Sequence, residues 1–304
     1  MRKVVIIGAG HVGSHCGYAL AHSGIADEIV LVDVDKDKAH AQALDIADSV
    51  SFCERETVVR DGDYKECEDA AIVVVAIGEA RKPGQTRLDM LGRSVEMLKE
   101  LIEQLKPYKI PGIVVTITNP ADIVADYVRK GLNLERSRVF GTGTLLDTAR
   151  LVRTLSEESG VARRSIQAYS LGEHGDSSMI PFSCVTIGGL PFEAYDISKE
   201  KVLEATRQIG MTIIEGKKST EFGIGRALTE MAACILRNEK KIMPASVLLQ
   251  GEYGQHDVHC GVPCLIGKNG IEKIIELPLT EEEQEMLNQS CEVIKKHIKM
   301  ASKN

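Results

Sequence analysis

Short apolar runs alternate with longer amphipathic stretches through the first half of the chain. The runs are Val4–Ile7, Ile29–Val32, Ala71–Ala76 and Ile113–Ile117. They are rich in β-branched residues and continuous rather than alternating, which suits strands covered on both faces of a parallel sheet. Helical periodicity fills the stretches 11–23, 36–52, 88–106 and 121–130. Strand and helix in repeated alternation predict an α/β fold built on an open, doubly wound parallel sheet. Ligands of such sheets bind beyond the carboxyl ends of the strands. Those ends are Gly8–Gly13, Asp33, Ile77–Arg87 and Thr118–Asp122.

The pattern changes past residue 142. Helical stretches are expected at 144–159, 200–215 and 221–238. Strand-like runs fall near 166–171, 182–187, 243–250, 258–266 and 272–276. A final helix opens on Thr280-Glu281-Glu282-Glu283, a capping-box pattern, and places Leu287, Cys291, Ile294 and Ile298 on one face. The chain thus reads as two units, 1–142 and 143–304, the second of mixed α+β character. With no low-complexity linker between them, they are expected to share an interface.

Composition narrows the class. The 304 residues are 43% hydrophobic and 27% charged, ordinary globular usage for a two-domain protein. A net charge of −7 with no Lys/Arg block argues against a nucleic-acid partner. Eight scattered cysteines read as reduced thiols of a cytoplasmic protein. No apolar run approaches the ~18 residues that a membrane span needs. The start, Met1–Ile7, looks faintly like a signal peptide, but Gly8 breaks the run and no cleavage pattern follows.

Gly8-Ala9-Gly10-His11-Val12-Gly13 follows a strand and opens a helix. Gly8 permits the tight turn, Gly10 a close approach to a pyrophosphate, and Gly13 close packing of helix on strand. The helix N-terminus offers free N–H groups to phosphates. Asp33 ends the next strand, 20 residues after Gly13. A carboxylate there accepts ribose hydroxyls and repels a 2′-phosphate, favouring NAD over NADP, with His11 or Lys36 as possible neighbours.

His174 lies in Leu171-Gly172-Glu173-His174-Gly175-Asp176-Ser177, a shaped turn between glycines. An acid–base imidazole needs an orienting carboxylate, and Asp147 is a candidate. Asp147 and Arg150 share a helix face, which by itself is equally the pattern of a surface ion pair. Arg81, Lys82 and Arg87 sit in a segment broken by Pro83 and Gly84, expected to form a loop suited to an anionic substrate. His256, His259, Cys260 and Cys264 suggest a metal cluster, but adjacent His259 and Cys260 on a strand would face opposite ways, so no metal is expected.

Taken in order, Gly8–Gly13, Asp33, Ala80–Arg87, Thr118-Asn119-Pro120-Ala121-Asp122, Asp147–Arg150, Gly172–Ser177 and Ser219-Thr220 ahead of Gly223-Ile224-Gly225 resemble the L-lactate/L-malate dehydrogenase family from end to end. The resemblance implies an N-terminal Rossmann domain that binds NAD and a C-terminal substrate domain. It implies that His174 exchanges a proton with the substrate, that Asp147 holds His174, and that Arg150 forks onto the substrate carboxylate. Arg87 would polarise the reacting carbonyl, Asn119 would lie near the nicotinamide, and Thr220 would line the substrate site. Gly78 joins Gly8, Gly10, His11, Val12, Gly13, Asp33 and Asn119 around the cofactor. The position of Arg81 is usually Gln in lactate enzymes and Arg in malate enzymes. A second guanidinium wants a second carboxylate, so Arg81 favours malate/oxaloacetate, whereas Gly141–Arg150 and Thr220 look more like the lactate and 2-hydroxyisocaproate branch. Val152 and Gln167 stand where sugar-phosphate-activated members carry cations, so no activation by fructose 1,6-bisphosphate is expected. The family also implies a homodimer or homotetramer, with 36–52 and 144–159 as contact surfaces. A dinucleotide sensor without chemistry would keep Gly8–Gly13 and Asp33 but would not need His174, Asp147, Arg150 and Arg87 together.

Overall fold

The computed structural model describes residues 2–78 and 87–301, with side chains except at 87–91. In chain order the first part gives β1 (Lys3–Ile7), α1 (His11–Ser23), β2 (Glu28–Val32), α2 (Lys36–Val50), β3 (Val58–Asp61), β4 (Ile72–Val75), α3 (Arg87–Leu105), β5 (Ile113–Thr116), α4 (Ala121–Leu132) and β6 (Val139–Gly141). Then follow α5 (Leu145–Ser159), β7 (Ile166–Gln167), β8 (Thr186–Ile187), β9 (Leu190–Pro191), α6 (Lys199–Lys217), α7 (Phe222–Arg237), β10 (Lys241–Gln250), β11 (His256–Gly267), β12 (Gly270–Ile274) and α8 (Glu281–Ala301).

Strands β1 to β6 are parallel in the order 3-2-1-4-5-6. This is the doubly wound α/β sheet that the apolar runs predict, and its strand order reverses between β1 and β4, where a ligand crevice opens. Both faces are dry. Val4, Ile6, Ile29 and Leu31 belong to a core that includes Leu20 of α1 and Leu228 of α7. Val5, Ile7, Val30 and Val32 alternate onto the other face, with Leu98 and Leu105 of α3 and Val124 and Val128 of α4. The predicted capping box forms at the start of α8: Glu283 N–H donates to Thr280 Oγ1 at 3.2 Å, and Thr280 N–H donates to Glu283 Oε2 at 3.1 Å.

Several elements differ from expectation. β3 and β6 carry no predicted strand. β3 is a partly exposed edge strand and β6 has three residues, too few to make an apolar run. The run at 166–171 is a strand only at 166–167, and that at 182–187 begins as a 3₁₀ turn over Phe182–Cys184. The larger difference lies at the middle of the chain. β10, β11 and β12 form an antiparallel ribbon that joins the parallel sheet beside β6, through Ser246 opposite Gly141. β10 and β11 are buried along most of their length, so they need cover on both faces, and extending the existing sheet provides it. Among the described residues only the short β7–β8–β9 sheet stands apart. Among the described residues no helix is long and apolar enough to cross a membrane.

Phe140 is fully buried in β6, where the ribbon joins. Phe140→Ala is expected to cost about 3–5 kcal/mol in urea denaturation, because the surrounding sheet cannot collapse onto the void. A loss below about 1 kcal/mol would show that the junction repacks freely.

Candidate active site

The first strand–helix turn has the shape a dinucleotide needs. Gly8 has φ +108°, and a Cβ there would lie 2.5 Å from the Ala76 carbonyl oxygen. A Cβ at Gly13 would lie 1.8 Å from the Gly8 carbonyl oxygen. These two glycines close the turn, whereas a Cβ at Gly10 would meet nothing within 4 Å. Gly10 therefore faces open space at the start of α1, whose first turn has no side-chain cap. His11 is exposed and Val12 packs partly on the core. A Cβ at Gly78, beyond β4, would likewise meet nothing within 4 Å among the described residues.

Asp33, at the end of β2, is buried and oriented from two sides. Its Oδ2 accepts the Ala9 N–H at 2.7 Å and its Oδ1 accepts the Asp35 N–H at 3.0 Å. The neighbouring cation is Lys38 at 3.0 Å, not Lys36 or His11, because Lys36 turns to the Gly62 carbonyl and the Tyr64 ring. Burial pushes the Asp33 carboxyl up, but the two N–H donors and Lys38 outweigh it and hold it below the usual range. An ionised acid beside the glycine turn, with open space over Gly10, fits the ribose and pyrophosphate of NAD.

The candidate catalytic groups come from α5 and the turn after Leu171. His174 Nδ1 lies 2.6 Å from Asp147 Oδ2, and Arg150 Nη1 donates to Asp147 Oδ1 at 3.0 Å. One carboxylate thus bridges an imidazole and a guanidinium, with side-chain exposures of 13%, 22% and 11%. The Asp147 charge raises the His174 pKa above its ordinary value, against the opposing effect of burial. Burial pushes Asp147 up, yet the two cations beside it leave it below the usual carboxylate range.

Several contacts set this geometry. Thr144 Oγ1 donates to the Ser170 carbonyl at 2.5 Å, and Ser170 N–H donates to Thr148 Oγ1 at 2.9 Å, tying α5 to the segment just before the turn. Gly172 and Gly261 of β11 exchange N–H···O bonds, each 2.9 Å. Glu173 N–H donates to Ser290 Oγ of α8 at 2.8 Å. Gly172 has φ +93°, and a Cβ there would lie 2.4 Å from Ser290 Oγ. The glycine is thus required twice, by conformation and by contact.

Other expected residues lie at this edge of the sheet. Asn119 is exposed between β5 and α4. The Thr118 hydroxyl there donates to the Ile77 carbonyl at 2.6 Å, fixing the corner that precedes Gly78. Arg150 and Thr220 line one cavity of about 690 Å³ between α5, α6 and the start of α7. Arg81 and Lys82 lie outside the described residues, as does the Arg87 side chain. Asp122, quoted in the Thr118–Asp122 motif without a role, is buried against the His174 backbone. His259 and Cys260 point to opposite sides, toward Asp126 and Cys291 respectively. Among the described residues no three His, Cys, Asp or Glu side chains are grouped to hold a metal. All eight cysteines are free.

Comparison with known proteins places the chain in a family. Residues 2–141 match the NAD-binding domain of lactate/malate dehydrogenases, and residues 144–304 match their alpha/beta C-terminal domain. An L-lactate dehydrogenase of Fusobacterium nucleatum is 42% identical, covering 98% of this chain and 96% of that protein. L-lactate dehydrogenase 3 of Bacillus anthracis is 39% identical over 98% of this chain and 97% of its own length. Among solved structures, a lactate dehydrogenase from a deep-sea metagenome library superposes with a TM-score of 0.95 at 38% identity, covering 99% of this chain and all of that one. The ligand-bound minor L-lactate dehydrogenase of Enterococcus mundtii gives 0.95 at 37% identity, with 98% of each chain covered. These relatives carry the lactate name, against the malate expectation drawn from Arg81. The chain belongs to the lactate/malate dehydrogenase family and is an NAD-dependent 2-hydroxy acid dehydrogenase.

Proposed function

We propose that the protein interconverts L-lactate and pyruvate. What carries the chemistry is the carboxylate of Asp147 shared between His174 and Arg150. What favours a monocarboxylic substrate is the lactate name of relatives that match nearly the whole chain. His174, held protonated by Asp147, gives its proton to the carbonyl oxygen during reduction and takes it back during oxidation. Arg150 spends one N–H on Asp147 and keeps the rest of its fork for the substrate carboxylate. Arg87 is assigned the polarisation of the reacting carbonyl, and Asn119 and Thr220 the lining of the site. Gly8, Gly10, His11, Val12, Gly13, Asp33, Gly78 and Asn119 are assigned to NAD, which supplies the hydride acceptor or donor. The halves 1–142 and 143–304 are assigned to cofactor and substrate, and the working form to a cytoplasmic homodimer or homotetramer. At Val152 and Gln167 no cation is present to hold fructose 1,6-bisphosphate.

A second reading rests on Arg81 alone. If its guanidinium faces the substrate, it calls for a second carboxylate, and oxaloacetate becomes the better substrate. Parallel NADH oxidation assays with pyruvate and oxaloacetate separate the two. The proposal expects a higher kcat/KM for pyruvate and little change in that ranking in Arg81→Gln. A preference for oxaloacetate that Arg81→Gln reverses would replace lactate with malate. Tight NADH binding with neither substrate turned over would leave a dinucleotide sensor.

Gly13→Ala is expected to weaken NADH binding at least tenfold in a fluorescence titration, because its Cβ has no room against the Gly8 carbonyl. Unchanged affinity would remove the glycine turn from the cofactor site.

His174→Gln is expected to lower kcat/KM by about 10²–10⁴-fold. It also tests the ion pair. A histidine whose folded pKa lies above its unfolded value adds stability that is fully present below the unfolded value, about 6.5. That stability is lost as pH rises through the folded value. The difference in Tm between parent and variant should therefore be largest in mild acid and shrink as the pH becomes alkaline. A difference that grows with pH would contradict a charged His174.

A further inference from the structure

Behind the His174 turn lies a buried acid that the proposed reaction does not use. Asp122 sits in the first turn of α4 and is 3% exposed. Its Oδ2 accepts the His174 main-chain N–H at 3.0 Å, and its Oδ1 accepts the Ser246 hydroxyl of β10 at 2.6 Å. It forms no salt bridge with any described residue, whereas the other acids around the sheet edge, Asp33 and Asp147, each have a cation. A buried carboxylate without a counterion is costly unless its surroundings need the charge. The start of α4 meets it with the positive end of the helix dipole, and the two donors hold it in place.

We propose that Asp122 is a positioning residue for His174: it grips the main chain of the catalytic turn and sets a second buried negative charge behind the imidazole. The proposal rests on the reading of His174 as the acid–base group. An amide at position 122 could accept the same N–H, so what the carboxylate adds over an amide is its charge. The groups that face the pair among the described residues are Asp147 and Arg150 from α5, Glu173 from the same turn, with His297 of α8 3.7 Å from it, and Cys260 from β11. Three carboxylates, Asp122, Asp147 and Glu173, thus stand against one guanidinium and the imidazole. With His174 protonated one negative charge of this group is left over. With His174 neutral two are left over, so Asp122 favours the form that gives the proton to a 2-oxo acid. Burial holds the Asp122 carboxyl up to about 6, so it is charged in neutral and alkaline solution and becomes neutral in acid, while the His174 pKa is raised above its ordinary value by the carboxylates beside it.

The test is Asp122→Asn, followed by NMR of ¹³C-labelled histidines, with the His174 signal assigned as the one lost in His174→Gln. The His174 midpoint is expected to fall by about half to one pH unit. The alkaline limb of kcat/KM for oxo-acid reduction should move down by the same amount, while the rate near pH 6 stays within about threefold. A midpoint that does not move overturns the proposal, whether the rate falls equally at every pH or not at all. If Asp122→Asn does not fold, Ser246→Ala takes its place. It removes a donor that keeps Asp122 charged, and should shift the same midpoint in the same direction by less; an unmoved midpoint there also overturns the proposal. Retained activity in His174→Gln would instead refute the acid–base reading, while the NMR midpoint would still report on Asp122.

Discussion

The site depends on one carboxylate with two cations. Asp147 is largely withdrawn from water, and its charge is tolerated because His174 and Arg150 each approach one of its oxygens. Removing either cation would leave a poorly compensated charge, a change that costs about 3–5 kcal/mol in buried pairs. The same sharing gives the two cations different tasks. The imidazole is oriented and its protonated form favoured, and the guanidinium gives Asp147 one N–H at 3.0 Å. Such a pair works only if α5 and the turn after Leu171 are held in register. The structure spends several long-range contacts on that register: Thr144 and Thr148 onto Ser170, Gly172 onto Gly261, and Glu173 onto Ser290.

The cofactor end is built by a different means. There the chain removes side chains rather than adding contacts. Gly8 and Gly13 let strand and helix touch, and Gly10 leaves the backbone bare where a phosphate approaches. The buried acid there, Asp33, is held by main-chain donors and by Lys38, so its orientation is set largely by the turn itself. The two ends meet at the carboxyl edge of one parallel sheet, with the glycine turn and Asp33 beside β1 and β2 and the His174–Asp147 pair beyond β6.

Much of this was legible in the residues. Continuous β-branched runs marked the buried strands, because a strand covered on both faces has no polar alternation to confuse with a helix. β3 and β6 were hidden for the opposite reason, one being half exposed and the other three residues long. The glycine turn, Asp33 and the His174 turn were visible because their chemistry demands particular residues at short spacing. Lys38 was not separated from Lys36, since which lysine reaches Asp33 depends on how α2 is capped by Asp35. Asp122 stood in the Thr118–Asp122 corner with no role of its own. Its burial comes from Ser246, 124 residues away, brought beside it when β10 docks on β6. The substrate was not legible in the same way, because one charged position, Arg81, stands against the character of the rest of the chain.

The docking of β10 on β6 also bears on how the chain holds together. One continuous apolar core gathers Val4, Ile6 and Leu20 from the first half with Leu228, Val247, Val262, Cys291 and Ile294 from the second. A chain cut near residue 142 would leave β6 as a raw edge and strip one side of that core, exposing both unpaired backbone and aliphatic surface to other chains. The seam between the two matched regions therefore runs through the middle of a shared interior, and each half serves as the other's protection against aggregation.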